Sequence, residues 1–189
     1  MLAHYFSFSF ANFKKFRHDA VRIIGMVNLD PNTLLRAAMQ LHAAGDISTA
    51  VEQVREIVAD HPEFAAGYSY LGQTLVTRQR KFNEGLDYLK RAVKSDPQDA
   101  YILYTAGWCS EYVANALERP KFSYQAPAET PEELYKRARM LFFEALAVLR
   151  EEPDDALKGD VEDMLDVIAR ATGEPWDEEL REYAPPRIR

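Results

Sequence analysis

Residues 32–62 read NTLLRAAMQLHAAGDISTAVEQVREIVADHP, and the spacing of small and apolar residues in this stretch predicts its secondary structure. Its second half places Ala50, Val54 and Ile57 at intervals of four and three residues, which is the period of one helix face. Gly45 separates the two halves, and glycine commonly ends a helix. The stretch therefore predicts two helices joined by a short turn.

The same pattern recurs twice further along the chain, as Gly85/Leu89/Ala92 and as Ala138/Phe142/Ala145. A partner pattern precedes each copy and ends at Ala38, Gly72 or Gly107. These three positions are 34 and 35 residues apart. A period near 34 with two helices per copy is typical of a helical-hairpin solenoid, which needs small residues where its helices cross.

This pattern resembles the tetratricopeptide repeat (TPR) family over about residues 31–172. The second copy, AGYSYLGQTLVTRQRKFNEGLDYLKRAVKSDP, carries one extra residue in its inter-helix turn. The third copy begins as AYILYTAGWC and is interrupted by ERPKFSYQAPAETP, residues 118–131. We predict an all-α, TPR-like solenoid with three hairpins in residues 31–153; a non-repetitive helical bundle is the alternative.

The regions outside the hairpins have separate expected roles. Residues 1–30 are expected to form an aromatic, basic N-terminal arm that includes an amphipathic helix. Residues 154–189 are expected to form a capping helix and a tail, with one more short turn of helix at residues 176–183. The proline-rich insertion is either a functional loop or a tolerated surface insertion, because long loops inside compact domains are often functional.

Composition limits the classes of function. The 189 residues are 47% hydrophobic, which predicts one folded domain. Residues 1–29 carry a net charge of +3 and the remainder carries −10, so the body is a poor match for nucleic-acid phosphates. No apolar run approaches the ~20 residues of a membrane-spanning helix. The single Cys109 excludes an internal disulfide and suits a cytoplasmic location, with a membrane-peripheral location as the alternative.

No catalytic signature is present in the sequence. It lacks a phosphate-binding loop, a dinucleotide fingerprint, a zinc-protease motif and a nucleophile elbow. The acidic stretch at residues 151–163 lacks the ligand spacing of a calcium loop, so a solvated helix face is expected there. We therefore expect neither an enzyme nor a cofactor or metal site.

The TPR resemblance implies a concave groove lined by the first helix of each hairpin. It implies partner-binding positions at Leu35, Met39, Tyr70, Gln73, Tyr101, Tyr104, Trp108 and Tyr112. These positions lack the Lys, Asn and Arg clamp of chaperone-binding modules, so a hydrophobic or helical partner segment is expected. The aromatic residues in the first helix of the third copy either line the groove or pack in the core. We favour the groove for Tyr104 and Trp108. The predicted function is a non-catalytic adaptor, scaffold or complex-assembly subunit.

The N-terminal arm, MLAHYFSFSFANFKKFRHDAVRIIGMV, makes a poor secretory signal because no basic residue precedes its apolar stretch. We expect an extended aromatic start followed by a basic amphipathic helix. Its candidate docking residues are Phe6, Phe8, Phe10, Phe13, Phe16, Lys14, Lys15 and Arg17. The arm could dock on a protein, self-associate, cap the first repeat, or anchor the chain to a membrane surface or large complex through residues 1–27.

Overall fold

The computed structural model describes residues 30–177 and 182–183, so the candidate docking residues of the N-terminal arm lie outside the described ranges. Helices make up most of the described chain. They are α1 (Pro31–Ala43), α2 (Ile47–Asp60), α3 (Ala65–Thr77), α4 (Phe82–Ser95), α5 (Ala100–Glu118), α6 (Pro131–Glu151) and α7 (Asp155–Thr172). Two short strands, β1 (Trp176–Asp177) and β2 (Glu182–Tyr183), follow them.

Local capping sets where several helices begin and end. The carboxylates of Asp30 and Asp46 accept hydrogen bonds from backbone N–H groups in the first turns of α1 and α2. Thr130 and Glu133 form a reciprocal capping box at the start of α6. Gly45, at φ 94°, turns the chain between α1 and α2, in a backbone region that other residues rarely adopt.

The helices pack as consecutive hairpins, α1 with α2, α3 with α4 and α5 with α6. Helix α7 packs on α6 and also contacts α5. Its Val161, Leu165 and Ile168 are buried, so α7 covers the apolar face that the third hairpin would otherwise leave open. The predicted all-α hairpin solenoid with a C-terminal capping helix is confirmed.

Two glycines let α3 and α4 approach closely. A Cβ atom added at Gly72 would lie 2.4 Å from Cγ of Leu89 and 2.8 Å from the carbonyl oxygen of Gly85. At the equivalent position of the next hairpin, a Cβ atom on Gly107 would lie 2.7 Å from Cε1 of Phe142. The repeated small residues therefore lie at helix crossings, which the sequence period indicated.

The expected helical turn at residues 176–183 is wrong. Trp176 pairs with Tyr183 and Asp177 pairs with Glu182 in an antiparallel register. The Trp176 indole N–H donates to Oδ1 of Asp166 at 2.8 Å, and its ring meets Phe143 edge to face. These long-range contacts hold β1 against α6 and α7, and tertiary packing outweighs local helix preference there.

The insertion, residues 119–130, folds back onto the second hairpin. Tyr124 stacks on Phe82 with ring centroids 5.2 Å apart. The Glu129 carboxylate accepts from Nζ of Lys90 at 2.8 Å and pairs with Arg137, so it joins α4 to α6. Burial by itself raises the pKa of Glu129, but hydrogen bonds and charge from Lys90 and Arg137 outweigh it and bring the pKa down to about 2.

Candidate partner-binding cleft

The first helices of the three hairpins border a shared cleft of about 560 Å³. Helix α1 contributes its C-terminal half, α3 its half-buried face and α5 its middle. The lining residues are Met39, His42, Ala43, Tyr70, Gln73, Thr74, Thr77, Arg78, Trp108 and Tyr112. This volume is in the range of a site for a short peptide segment or a small ligand.

A polar contact joins α1 to α3 inside the cleft. Nδ1 of His42 lies 2.8 Å from the Tyr70 hydroxyl, and the two rings meet edge to face with centroids 5.8 Å apart. Burial raises the pKa of Tyr70. The pair holds the Tyr70 ring in place and fixes the shape of this wall of the cleft.

Aromatic rings from α5 form the opposite wall. Trp108 and Tyr112 lie with ring centroids 6.0 Å apart, and both are half-buried against the core of the third hairpin. The Tyr112 hydroxyl accepts a hydrogen bond from Nη1 of Arg80 at 3.3 Å. These rings therefore pack against the core on one side and line the cleft on the other. Their positions are fixed before a partner binds.

Three of the eight predicted groove positions lie elsewhere. Leu35 is buried in the core of the first hairpins, and Tyr101 is 60% exposed away from the cleft. Tyr104 packs against Phe142 with ring centroids 6.1 Å apart. Burial, and then the charge of Asp160, raise the pKa of Tyr104. Only Met39, Tyr70, Gln73, Trp108 and Tyr112 of the predicted set come together at the cleft.

Some residues that line the cleft are absent from the groove positions that the sequence predicted. Thr74 and Thr77 follow Tyr70 and Gln73 by one helical turn, so helical periodicity could have identified them. Arg78, the C-terminal cap of α3, carries no such signal because its position depends on where the helix ends. A partner role for any of these residues remains a prediction.

The cleft is nearly free of charge although the chain is acidic. Helices α1, α3 and α5 contain only Arg36, Glu111 and Glu118 among Lys, Arg, Asp and Glu residues, and none of these lines the cleft. Arg78 at the rim supplies a positive charge, and no carboxylate is present among the lining residues. An uncharged, apolar segment would lose little hydration free energy on entering such a site.

A smaller hollow of about 380 Å³ lies between α5 and the insertion. It is lined by Arg80, Glu111, Tyr112, Asn115, Ala116, Arg119, Lys121 and Phe122. Glu111 is buried there, and desolvation raises its pKa. Cys109 lies one turn away from this wall; it is fully buried, and burial raises the pKa of its thiol.

The described part of the chain, residues 30–177 and 182–183, also bears on metal binding and membrane crossing. No three His, Cys, Asp or Glu side chains are grouped there as metal ligands would be. None of the helices within residues 30–177 has both the length and the apolar character needed to cross a bilayer.

No family model matches the chain. A TPR repeat-containing protein of Pseudomonas aeruginosa is 27% identical over 103 residues, which is 54% of this chain and 18% of that protein. The chain thus spans less than a fifth of that relative's length. The sequence match and the packing of consecutive hairpins both indicate a helical-repeat architecture. The described residues of the chain form an all-α helical-hairpin solenoid, and the sequence is similar to that of this TPR repeat-containing protein.

Proposed function

We propose that this protein is a non-catalytic adaptor or assembly subunit whose cleft binds an apolar segment of a partner protein. One observation carries the proposal: Met39, Tyr70, Trp108 and Tyr112 converge from three helices on one cleft without a carboxylate. The similarity to a protein described as TPR repeat-containing supports a role in protein interaction. Small-residue crossings and capped helices hold these side chains on a rigid frame, which limits the entropy lost on binding.

The proposed partner segment is uncharged and rich in aromatic or aliphatic side chains. Rings in the cleft can stack with such side chains, and His42, Gln73 and Tyr70 can exchange hydrogen bonds with its backbone. A segment carrying several carboxylates or ammonium groups would lose hydration without a matching charge, because Arg78 is the only formal charge at neutral pH on the lining.

Selection of displayed peptides against the full chain tests this proposal. We expect the selected peptides to be uncharged and apolar, and to lose binding when Met39→Glu places a carboxylate in the cleft. Met39 is 49% exposed, and glutamate is a good helix former, so this variant should fold normally. Tyr101→Ala is the matched control, since Tyr101 is an exposed aromatic outside the cleft. Peptides that bind Met39→Glu and the parent equally well would refute the cleft assignment.

The second candidate function is a peripheral membrane or large-complex subunit anchored through residues 1–27. Its support is the sequence itself, since six aromatics precede or flank Lys14, Lys15 and Arg17. An apolar face with basic flanks is typical of an interfacial helix. Flotation with anionic vesicles, lost at high salt and in a chain lacking residues 1–27, is the result this candidate predicts.

A further inference from the structure

We infer that the N-terminal segment of the same chain, residues 5–13, occupies the cleft and must be displaced by a partner. This inference rests on the proposed function, because it names the resident occupant of the same site. The N-terminal segment and a partner would then compete for the same cleft, so the chain would regulate its own binding.

The chemistry of the segment matches that of the cleft. Residues 1–13, MLAHYFSFSFANF, contain no Lys, Arg, Asp or Glu and five aromatic side chains. Among the helices that border the cleft, α3 carries no charged residue and α1 only Arg36. Aromatics at alternate positions 6, 8 and 10 fall on one side of an extended segment, so that side could face Tyr70, Trp108 and Tyr112.

The length of the intervening chain permits this return. Residue 30 directly precedes α1, and Met39 and His42 lie 9 and 12 residues beyond it. At a rise of 1.5 Å per residue, these side chains are about 14–18 Å along the helix axis from its start. Residues 14–29 are 16 residues, which span up to about 50 Å when extended. The connection is therefore long enough to reach the cleft without strain.

Charge also favours the chain's own segment. The connecting residues hold Lys14, Lys15, Arg17 and Arg22, and the remainder of the chain from residue 30 onward carries a net charge of −10. Attraction between them keeps the arm near the body. A tether of this length also sets an effective concentration of about 1 mM, far above the protein concentration at which a second copy would compete. The same chain is therefore the expected source of the occupant.

Cysteine pairing in the full chain tests the placement. Asn12→Cys with Gln73→Cys puts one thiol on the same side of the extended segment as positions 6, 8 and 10 and the other in the cleft, while native Cys109 is fully buried. We expect an intramolecular disulfide to form at least about tenfold faster than in the control pair, Asn12→Cys with Glu52→Cys, whose second thiol lies at an exposed position of α2 outside the cleft. Equal rates for the two pairs, or disulfides formed between two chains, would overturn the inference.

Competition tests its consequence for binding. The probe is a labelled synthetic peptide of residues 1–13, added to full chains whose own segment is intact or altered. The triple variant Phe6→Ser/Phe8→Ser/Phe10→Ser should bind the probe about tenfold more tightly than the parent. This factor is expected if only about a tenth of the parent molecules have an open cleft. Ser7→Ala/Ser9→Ala, which alters the other side of the segment, should bind like the parent.

The outcomes separate this inference from the proposed function. If the display-selected peptides require Met39 but bind the parent and the triple-Phe variant equally, the cleft binds partners and the self-occupancy is wrong. If Met39→Glu changes no binding at all, the proposed function itself fails. Flotation of the parent with anionic vesicles, abolished in the triple-Phe variant, would place the segment on lipid and also overturn the inference.

Discussion

The backbone N–H of Gln125 donates to the carbonyl oxygen of Arg80 at 2.9 Å and joins residues 45 positions apart in the chain. Arg80 has a φ of 53°, and its Nε donates to the carbonyl of Ser123 at 3.2 Å. Its guanidinium also lies over the rings of Phe82 and Phe122. The extra residue in the second repeat's turn and the insertion in the third repeat are therefore in direct contact.

Loss of the Tyr124 ring should loosen this contact. We expect Tyr124→Ala to lower the free energy of unfolding by about 1–2 kcal/mol, because it removes a half-buried ring stacked on Phe82. Amide exchange at Gln125 should accelerate. Phe122→Ala is the control: that ring is 68% exposed, and its loss should cost less than about 1 kcal/mol. Equal effects of the two variants would contradict the proposed anchoring role of Tyr124.

Close approach of α3 and α4 predicts the effect of a single methyl group. Gly72→Ala should destabilise the fold by about 1–3 kcal/mol, since the new Cβ would lie 2.8 Å from the backbone oxygen of Gly85. Gly159→Ala in α7 is the matched control, because nothing lies within 4 Å of its added Cβ. That control should gain up to about 1 kcal/mol from helix propensity. Urea unfolding measures both, and a stabilised Gly72→Ala would show that the crossing is looser than described.

The pKa of Glu129 predicts a loss of stability in acid. Its value is about 2 in the folded chain and 4.5 ordinarily, so the unfolded state binds the proton more readily. The stabilisation is complete above about pH 4.5 and is lost as the pH falls toward 2. Glu129→Gln should remove this part of the pH dependence in urea unfolding measured between pH 7 and pH 3. Glu144→Gln, at an exposed carboxylate on α6, should keep it.

Trp108 and Tyr104 should respond differently, although both belong to the same aromatic series on α5. Trp108→Ala should weaken binding of display-selected peptides at least about tenfold, because that ring lines the cleft. Tyr104→Ala should leave binding within about twofold and instead lower the free energy of unfolding by about 1–3 kcal/mol, since it packs on Phe142. Titration and thermal melting of both variants check this, and equal binding losses would return Tyr104 to the groove.

Local chemistry explains what could be read from the sequence. The caps at Asp30 and Asp46 and the capping box at Thr130 depend on residues within a few positions of one another, so the helix starts were predictable. Gly72 and Gly107 were identified by the repeat period, because every copy must cross its helices at the same place.

Contacts between side chains that are distant in sequence depend on how the helices pack. The helical period places Tyr104 and Trp108 on one face of α5, but the positions of α3 and α6 determine that one packs on Phe142 while the other lines the cleft. Residues 176–177 pair with residues 182–183 as strands because β1 contacts α6 and α7, and no local sequence pattern predicts contacts between residues so far apart in the chain. Helix starts depend on hydrogen bonds between near neighbours, whereas the cleft and the docked insertion depend on burial between residues distant in sequence.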